Sequence, residues 1–262
     1  MSSLSFALRD STTMLRRDIR HSLRRISMTL SGLGTPVIML LLFNYVYGGT
    51  IGAGLGSAAP GGAYINYVAP GIIIMTVGSG CATTAINLCM DLSEGIIARF
   101  RTMPISRASV LTGQVIGSLI RTLITVGLVI GVALLMGFRP TSGPLAWIAA
   151  FGLIALLTFA VTWMGVVFGL VGKTPAGANS LSLIFLLLAF TSSAFVSLDS
   201  MPTGVRWFAE YQPFTPVINT LRGLLLGTPV GNDAILAVAW CVGMALVGYL
   251  WARAVYNRGP AR

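Results

Sequence analysis

The chain has 262 residues, of which 55% are hydrophobic and only 9% are charged, and its mean hydropathy is +0.84. A single soluble core cannot bury so much apolar surface, so the composition excludes an ordinary water-soluble domain and predicts an integral membrane protein. The formal net charge of +10 would suit a nucleic-acid-binding protein only if the cations formed one ordered basic face. They lie instead at the edges of apolar segments, so we expect membrane lipid, and no nucleic acid, among the partners.

A basic segment, residues 1–26, precedes the first apolar run. Leu15, Ile19 and Leu23 recur at helical spacing, and arginines lie around the other side. This pattern predicts an amphipathic helix on the inner membrane surface. Two roles stay open for it, an anchor attracted to anionic lipid and a mechanical contact with a cytosolic partner.

Six apolar segments follow one another, each bounded by turn residues or charges. About 20 apolar residues cross a bilayer as a helix, and only helices and closed barrels satisfy the backbone in lipid. The sequence therefore predicts an all-α integral membrane fold in a single transmembrane domain, 1–262. The six transmembrane helices are expected at residues 27–47, 67–90, 108–137, 145–172, 177–197 and 234–255.

The basic residues predict how these helices are oriented. With both termini in the cytoplasm, 13 of the 17 basic residues lie inside, three lie outside, and Arg121 lies within a span. Cytoplasmic loops carry such an excess of arginine and lysine. We therefore expect a multi-pass protein of the plasma (inner) membrane with both termini cytoplasmic.

A short charged segment, residues 91–104, joins the second and third spans on the predicted cytoplasmic side. Asp91 and Glu94 can cap the start of a helix there, and Pro104 ends it. One side of this helix is apolar and the other is basic: Ile96, Ile97 and Phe100 against Arg99 and Arg101. Such a helix suits docking into a groove of a partner protein, although a helix that only connects two spans would show the same pattern.

The third span carries a polar face, on which Gln114, Ser118, Arg121, Thr122 and Thr125 stack at helical spacing. An arginine within a span costs about 2.5–3.5 kcal/mol on insertion scales. We therefore expect this face to line an internal cavity or the seam of a dimer. The alternative is that Arg121 extends its guanidinium to the inner headgroups and only anchors the helix.

The chain offers little chemistry for catalysis. Its one histidine, His21, has no acidic neighbour placed for a catalytic triad. Gly172, Lys173 and Thr174 match the end of a phosphate-binding loop, but the first glycine of that motif would fall at Val167. The three cysteines lie apart in apolar runs and predict no metal site. We expect no catalytic residue, metal or cofactor in this chain, and any ATP and Mg²⁺ would be bound by another chain.

The segment 198–233, between the fifth and sixth spans, combines aromatic side chains with charges. Its aromatic cluster consists of Trp207, Phe208, Tyr211 and Phe214. Anchoring at the membrane interface is the ordinary role of such aromatics. The sharper hypothesis is a gate that closes the outer end of the bundle, with Arg206, Glu210 and Arg222 as its switchable contacts.

Several motifs between Asp91 and Gly113 occur together: Glu94-Gly95, Arg99-Phe100-Arg101, Pro104-Ile105-Ser106-Arg107 and Val110-Leu111-Thr112-Gly113. This stretch resembles the signature loop of type-2 ATP-binding-cassette (ABC) permeases, particularly the daunorubicin/doxorubicin-resistance branch of drug exporters. Residues 64–72, 202–207, 213–216 and 221–223 agree with the same family, so the resemblance covers essentially the whole chain. It implies that the 91–104 helix is a coupling helix that contacts an ATPase through Glu94, Arg99, Phe100 and Arg101. It also implies short outer-leaflet helices within 201–227.

The resemblance implies a membrane-spanning permease subunit of an ATP-driven exporter with two separate ABC ATPase subunits. A second permease subunit, identical or a sister chain, would form the seam, and the polar face of the third span would lie near the translocation path. The expected cargo is an amphipathic drug, an antibiotic or a lipid-like compound, because the spans offer an apolar path with hydroxyls and few charges. A glycan or lipid-linked-polymer exporter is the alternative within the family. A passive channel or an integral-membrane enzyme is the alternative outside it, and no motif supports either.

Overall fold

A computed structural model of the chain describes residues 26–46, 48, 64–93, 107–196, 198 and 201–258. Every regular element in these ranges is helical, which confirms the predicted all-α fold. The helices are α1 (Ile26–Leu41, continued by a π-helical turn at Leu42–Val46), α2 (Tyr64–Ser93), α3 (Arg107–Leu135), α4 (Pro144–Val171), α5 (Pro175–Phe190), α6 (Thr203–Tyr211), α7 (Phe214–Leu226) and α8 (Asp233–Arg258).

Four of these helices are long and apolar enough to cross a membrane: α2, α3, α4 and α8. Two shorter apolar helices, Gly34–Val46 and Pro175–Phe190, lie where the first and fifth spans were predicted. The helix of the fifth segment ends at Phe190, before the predicted boundary at residue 197. Its last turn ends there because the hydroxyl of Thr191 donates to the Leu187 carbonyl and that of Ser192 donates to the Ala189 carbonyl, and the chain then turns away.

The long helix α2 forms the centre of the bundle. It packs against α4, α5, α3 and α1, and 67% of its most apolar window is buried. The packing against α4 is close, since a methyl group at Gly165 would lie 2.8 Å from the Cys81 carbonyl oxygen and one at Gly169 would lie 2.8 Å from that of Ala85. Glycine lets these two helices approach to backbone contact, as small residues do between membrane helices.

The last helix, α8, lies at the periphery. It packs against α4 and α7, and only 17% of its apolar window is buried within the chain. Large apolar side chains are exposed along it, including Ile235 and Leu250. In water such a surface would be unfavourable, but lipid tails are as apolar as a protein core, so the exposed faces are those of a membrane protein.

Helix ends meet at two opposite ends of the bundle. At one end, which we call the Arg222 end, the start of α2 contacts the connection after α3, because the Arg139 amide donates to Asn66 Oδ1. At the same end Thr141 bonds to the carbonyls at the end of α7. At the other end, the Cys89 end, the Cys89 thiol donates to the Gly172 carbonyl between α4 and α5. The ends of α2, α3 and α4 thus alternate between the two ends of the bundle.

Candidate functional site

The polar face predicted on the third span lies against α2. Ser118 and Thr122 are buried, whereas Gln114, Arg121 and Thr125 are half-buried. A methyl group at Gly80 of α2 would lie 2.6 Å from the Thr122 hydroxyl, so this side of α3 packs directly on α2. Part of the polar face is therefore a helix–helix contact and part of it remains accessible.

The accessible part includes Arg121. Its Nη2 atom lies 3.5 Å from the Ser118 hydroxyl, and its main-chain carbonyl accepts a hydrogen bond from the Thr125 hydroxyl at 3.0 Å. The guanidinium thus lies along α3 beside the Ser118 hydroxyl. This arrangement keeps the charge within the polar face and away from the apolar sides of the helix.

The central helix α2 exposes a polar strip beside this face. Most of α2 is buried, but Ser79 and Thr83, one turn apart, are exposed. Their hydroxyls donate to the carbonyls of Thr76 and Ser79, which satisfies each donor within the helix. Because Gly80 and Thr122 form the contact between α2 and α3, the two polar surfaces meet along one side of the bundle. A surface with hydroxyls and one arginine therefore adjoins faces that are otherwise apolar.

A second polar cluster lies at the Arg222 end, and its hub is Arg222 of α7. The Nη2 atom of Arg222 donates to the Ser193 carbonyl at 2.9 Å and to the Tyr67 carbonyl at 3.1 Å. The guanidinium carbon also lies 4.0 Å from the centre of the Tyr67 ring, which is cation–π geometry. One side chain thus joins the first turn of α2 to the turn that follows α5.

Asn219 extends this cluster to the last helix. Its Oδ1 atom accepts from the Ser193 hydroxyl at 2.9 Å and from Arg222 Nη1 at 3.4 Å. Its Nδ2 atom donates to Asp233 Oδ2, at the start of α8, at 3.0 Å. We call the five residues Tyr67, Ser193, Asn219, Arg222 and Asp233 the Arg222 junction. It connects α2, the turn after α5, α7 and α8 through hydrogen bonds and one cation–π contact.

Among the residues that the structure describes, no carboxylate contacts the Arg222 guanidinium directly. Asp233 reaches Arg222 only through Asn219, and the Nε atom of Arg222 is buried without a hydrogen-bond partner. Burial lowers the pKa of Arg222, because desolvation penalises the charged guanidinium, while the neighbouring Tyr67 opposes that shift. The intrinsic pKa of arginine is so high that the guanidinium stays protonated at any physiological pH.

Close packing of the backbone makes the junction possible. A methyl group at Gly71 would lie 2.6 Å from Ala194 Cβ and 2.9 Å from Ala194 Cα. The turn after α5 therefore rests directly on α2, one turn beyond Tyr67. Only at this separation can one guanidinium reach carbonyls of both segments.

Of the three residues predicted for an outer gate, the structure places one in the junction and two outside it. Arg206 and Glu210 are exposed on α6, whereas Arg222 bonds to α2 and to the turn after α5. Helix α6 also exposes Trp207 and Tyr211, whose rings lie 5.7 Å apart. Sequence reasoning missed the partners of Arg222, because two of them are main-chain carbonyls. The i, i+3 spacing of Asn219 and Arg222 was the one local signal available.

The predicted coupling residues Glu94, Arg99, Phe100 and Arg101 lie outside the described residues. The described part of that segment shows that Asp91 belongs to the last turn of α2, which continues to Ser93. Asp91 therefore lies within α2 and, contrary to the sequence prediction, does not cap the start of a separate helix. In the part of the chain that the structure describes, no three His, Cys, Asp or Glu side chains are grouped as metal ligands would be.

Comparison with known proteins agrees with the predicted resemblance. The chain is 29% identical to the daunorubicin resistance ABC transporter permease protein DrrB1 of Streptomyces coeruleorubidus, over 81% of this chain and 72% of that protein. It is 27% identical to the probable doxorubicin resistance ABC transporter permease protein DrrC of Mycobacterium tuberculosis, over 81% and 75%. It is also 24% identical to the putative transport permease ycf38 of Porphyra purpurea, over 83% and 74%. The family model for ABC-2 type transporters matches residues 10–226, and the chain therefore belongs to the ABC-2 type transporter family.

Proposed function

We propose that this chain is the permease subunit of an ATP-driven exporter that moves an amphipathic drug, an antibiotic or a lipid-like compound out of the cell. The observation that carries the proposal is the match to permeases named for daunorubicin and doxorubicin resistance, each over 81% of this chain. The sides of the bundle agree with such a cargo, since exposed apolar side chains such as Ile124 and Leu128 of α3 adjoin a strip of hydroxyls and Arg121. An amphipathic molecule is bound by mostly apolar walls with a few polar groups.

The energy would come from a separate pair of ABC ATPase subunits, which bind ATP and Mg²⁺. A transporter changes state only when a ligand contacts the two states differently, and here ATP binding in the partner would supply that difference. The 91–104 segment would receive it as the coupling helix, with Phe100 as the apolar anchor and Glu94, Arg99 and Arg101 as charged contacts. The whole assembly would sit in the plasma membrane with both termini in the cytoplasm.

The polar strip on α2 and α3 would face a second permease subunit, identical or a sister chain. Ser79 and Thr83 are exposed in the single chain although they belong to its most buried helix. Polar residues within membrane segments face other protein or water in preference to lipid. A seam between two subunits along this strip would place Arg121 and Thr125 beside the translocation path. In the alternative, Arg121 anchors α3 at the headgroups.

The coupling assignment is tested by purifying the chain from native membranes in mild detergent. We expect an ATPase subunit to co-purify at stoichiometric yield with the wild type. The double variant Glu94→Ala/Phe100→Ala should lose it, because the apolar anchor and a charged contact are both removed. Lys173→Ala is the matched control, since it removes a charge from the other connection on the same side, and it should retain the ATPase.

Transport is tested with the purified complex in proteoliposomes. ATP-dependent movement of daunorubicin across the bilayer is the expected result, with none when the double variant replaces the wild type. If the wild type co-purifies with no ATPase, the exporter proposal fails and a passive channel or an enzyme must be considered. Transport of a lipid-linked glycan in place of daunorubicin would show that the chain belongs to an exporter of glycans or lipid-linked polymers.

A further inference from the structure

The Arg222 junction closes over an apolar core. Fully buried apolar side chains neighbour its residues along the chain: Val68 in α2, Phe214 and Ile218 in α7, and Ala194 after α5. Phe214 packs edge-on against Phe185 of α5 at 5.9 Å. The hydrogen bonds of Arg222 join two of these elements, α2 and the turn after α5, beside this core.

The bonds at the junction suit a contact that can be broken and remade. Arg222 is held by main-chain carbonyls of two different segments and by the amide of Asn219. A buried ion pair leaves an uncompensated carboxylate when it is broken, which is strongly unfavourable. Main-chain carbonyls carry no net charge, and arginine can extend its head group to water from near a membrane boundary. Separation of α5 from α2 therefore leaves no buried charge behind.

The geometry also requires an arginine. The planar guanidinium of arginine presents several N–H donors at fixed angles, whereas the donors of lysine all belong to one compact ammonium group. Nη2 and Nη1 of Arg222 reach Ser193, Tyr67 and Asn219 together, while the flat face stacks on the Tyr67 ring. No single lysine ammonium can occupy all of these positions.

We propose that Arg222 is a positioning residue that holds this end of the permease shut by clamping the turn after α5 onto the first turn of α2. Of the three residues that the sequence predicted for an outer gate, this clamp uses Arg222. Asn219 couples the clamp to α8 through Asp233. The description of this end as a gate rests on the proposed transport function, but the clamp itself does not.

The clamp is tested by the rate at which a buried thiol beside it reacts with a water-soluble maleimide. Ser192 is 0% exposed and adjoins the junction without belonging to it, so Ser192→Cys is a near-isosteric reporter. The full chain is placed in lipid nanodiscs, which expose both ends to the reagent whatever the orientation. Peptide mass spectrometry reads each cysteine separately, so native Cys89, buried at the opposite end, serves as an internal reference.

Arg222→Gln is expected to raise labelling at position 192 by about tenfold or more, the factor that corresponds to one lost hydrogen bond to a charged group. Labelling of Cys89 should not change, because the opening is local. Arg206→Gln is the matched control, an arginine removed from the exposed α6 at the same end, and it should leave position 192 at the parent rate. If Arg222→Gln does not fold, Arg222→Lys, which keeps the charge but not the fork, is judged by the same criteria.

Three outcomes would overturn the clamp: a parent labelling rate in the Arg222 variant, an equal rise in Arg206→Gln, or a parallel rise at Cys89. The last would show that Arg222 stabilises the whole bundle and not this end. The labelling needs neither an ATPase nor a cargo. Failure of ATP-dependent transport would therefore remove the proposed function while leaving the labelling result to decide the clamp.

Discussion

Replacing Gly165 by alanine tests whether backbone contact between α4 and α2 stabilises the bundle. The added methyl group would lie 2.8 Å from the Cys81 carbonyl oxygen, 3.2 Å from Thr84 Cβ and 3.3 Å from Cys81 Sγ. The nearest atom belongs to the backbone of a helix, so it cannot rotate away. The two helices must separate by roughly half an ångström to restore ordinary van der Waals contact, and such overpacking costs about 1–3 kcal/mol.

A gain in helix propensity acts in the opposite direction. Alanine is favoured over glycine within a helix by about 1 kcal/mol, so the net loss for Gly165→Ala is expected to be between about 0 and 2 kcal/mol. Gly127→Ala in α3 measures the gain from helix propensity alone, because nothing lies within 4 Å of the added methyl group there. The difference in the free energy of unfolding between the two variants should therefore equal the overpacking alone, about 1–3 kcal/mol.

Reversible unfolding in mixed micelles, followed by circular dichroism, measures both free energies under one condition. Thermal unfolding in the same detergent checks which of the two variants is the more stable. Equal free energies of unfolding for the two variants would refute the inference that α2 and α4 are in backbone contact. A Gly165→Ala variant more stable than Gly127→Ala would refute it more strongly.

Three further predictions concern other contacts. Trp163 and Tyr249 lie edge-on at 5.1 Å between α4 and α8, so a double-mutant cycle to alanine should give a coupling of about 0.5–1.5 kcal/mol, and a value near zero would contradict this packing. Arg121→Leu should lower ATP-dependent transport while ATPase co-purification stays at the wild-type yield, and full transport in this variant would favour a pure anchoring role. Asp233→Ala should lower the free energy of unfolding by about 1 kcal/mol, because it removes the hydrogen-bond acceptor of Asn219 and an acidic residue at the start of α8. Glu210→Ala on the exposed α6 is the control and should lower the free energy of unfolding by less.

The proposed seam and the proposed clamp occupy different parts of the molecule. The polar strip runs along the side of the bundle on α2 and α3, whereas the Arg222 junction lies at one end, where four segments meet. The polar strip and the Arg222 junction both contain residues of α2, the most buried helix. A movement of α2 relative to α5 would therefore alter the strip and the junction together.

Part of the site was predictable because membrane spans contain few polar residues. Ser118, Arg121 and Thr122 stand out among apolar neighbours. The structure buries Ser118 and Thr122 and places Thr122 in the α2–α3 contact. The junction was less accessible to such reasoning. Arg222 was singled out, but its partners Tyr67 and Ser193 are 155 and 29 residues away along the chain and bond through carbonyl groups that every residue possesses. No pattern of side chains marks such partners.

The sequence by itself determined the class of protein, the helical fold, the approximate place of each apolar helix and the family. These follow from composition and from runs of apolar residues, which lipid requires whatever the packing. Only the tertiary structure decided that α2 is central, that α8 is peripheral and that Arg222 bonds to two other segments. The physical reason is that lipid is as apolar as a protein core. Buried and lipid-facing sides of a helix then look alike in sequence, and the arrangement depends on glycine contacts and polar bonds between distant residues.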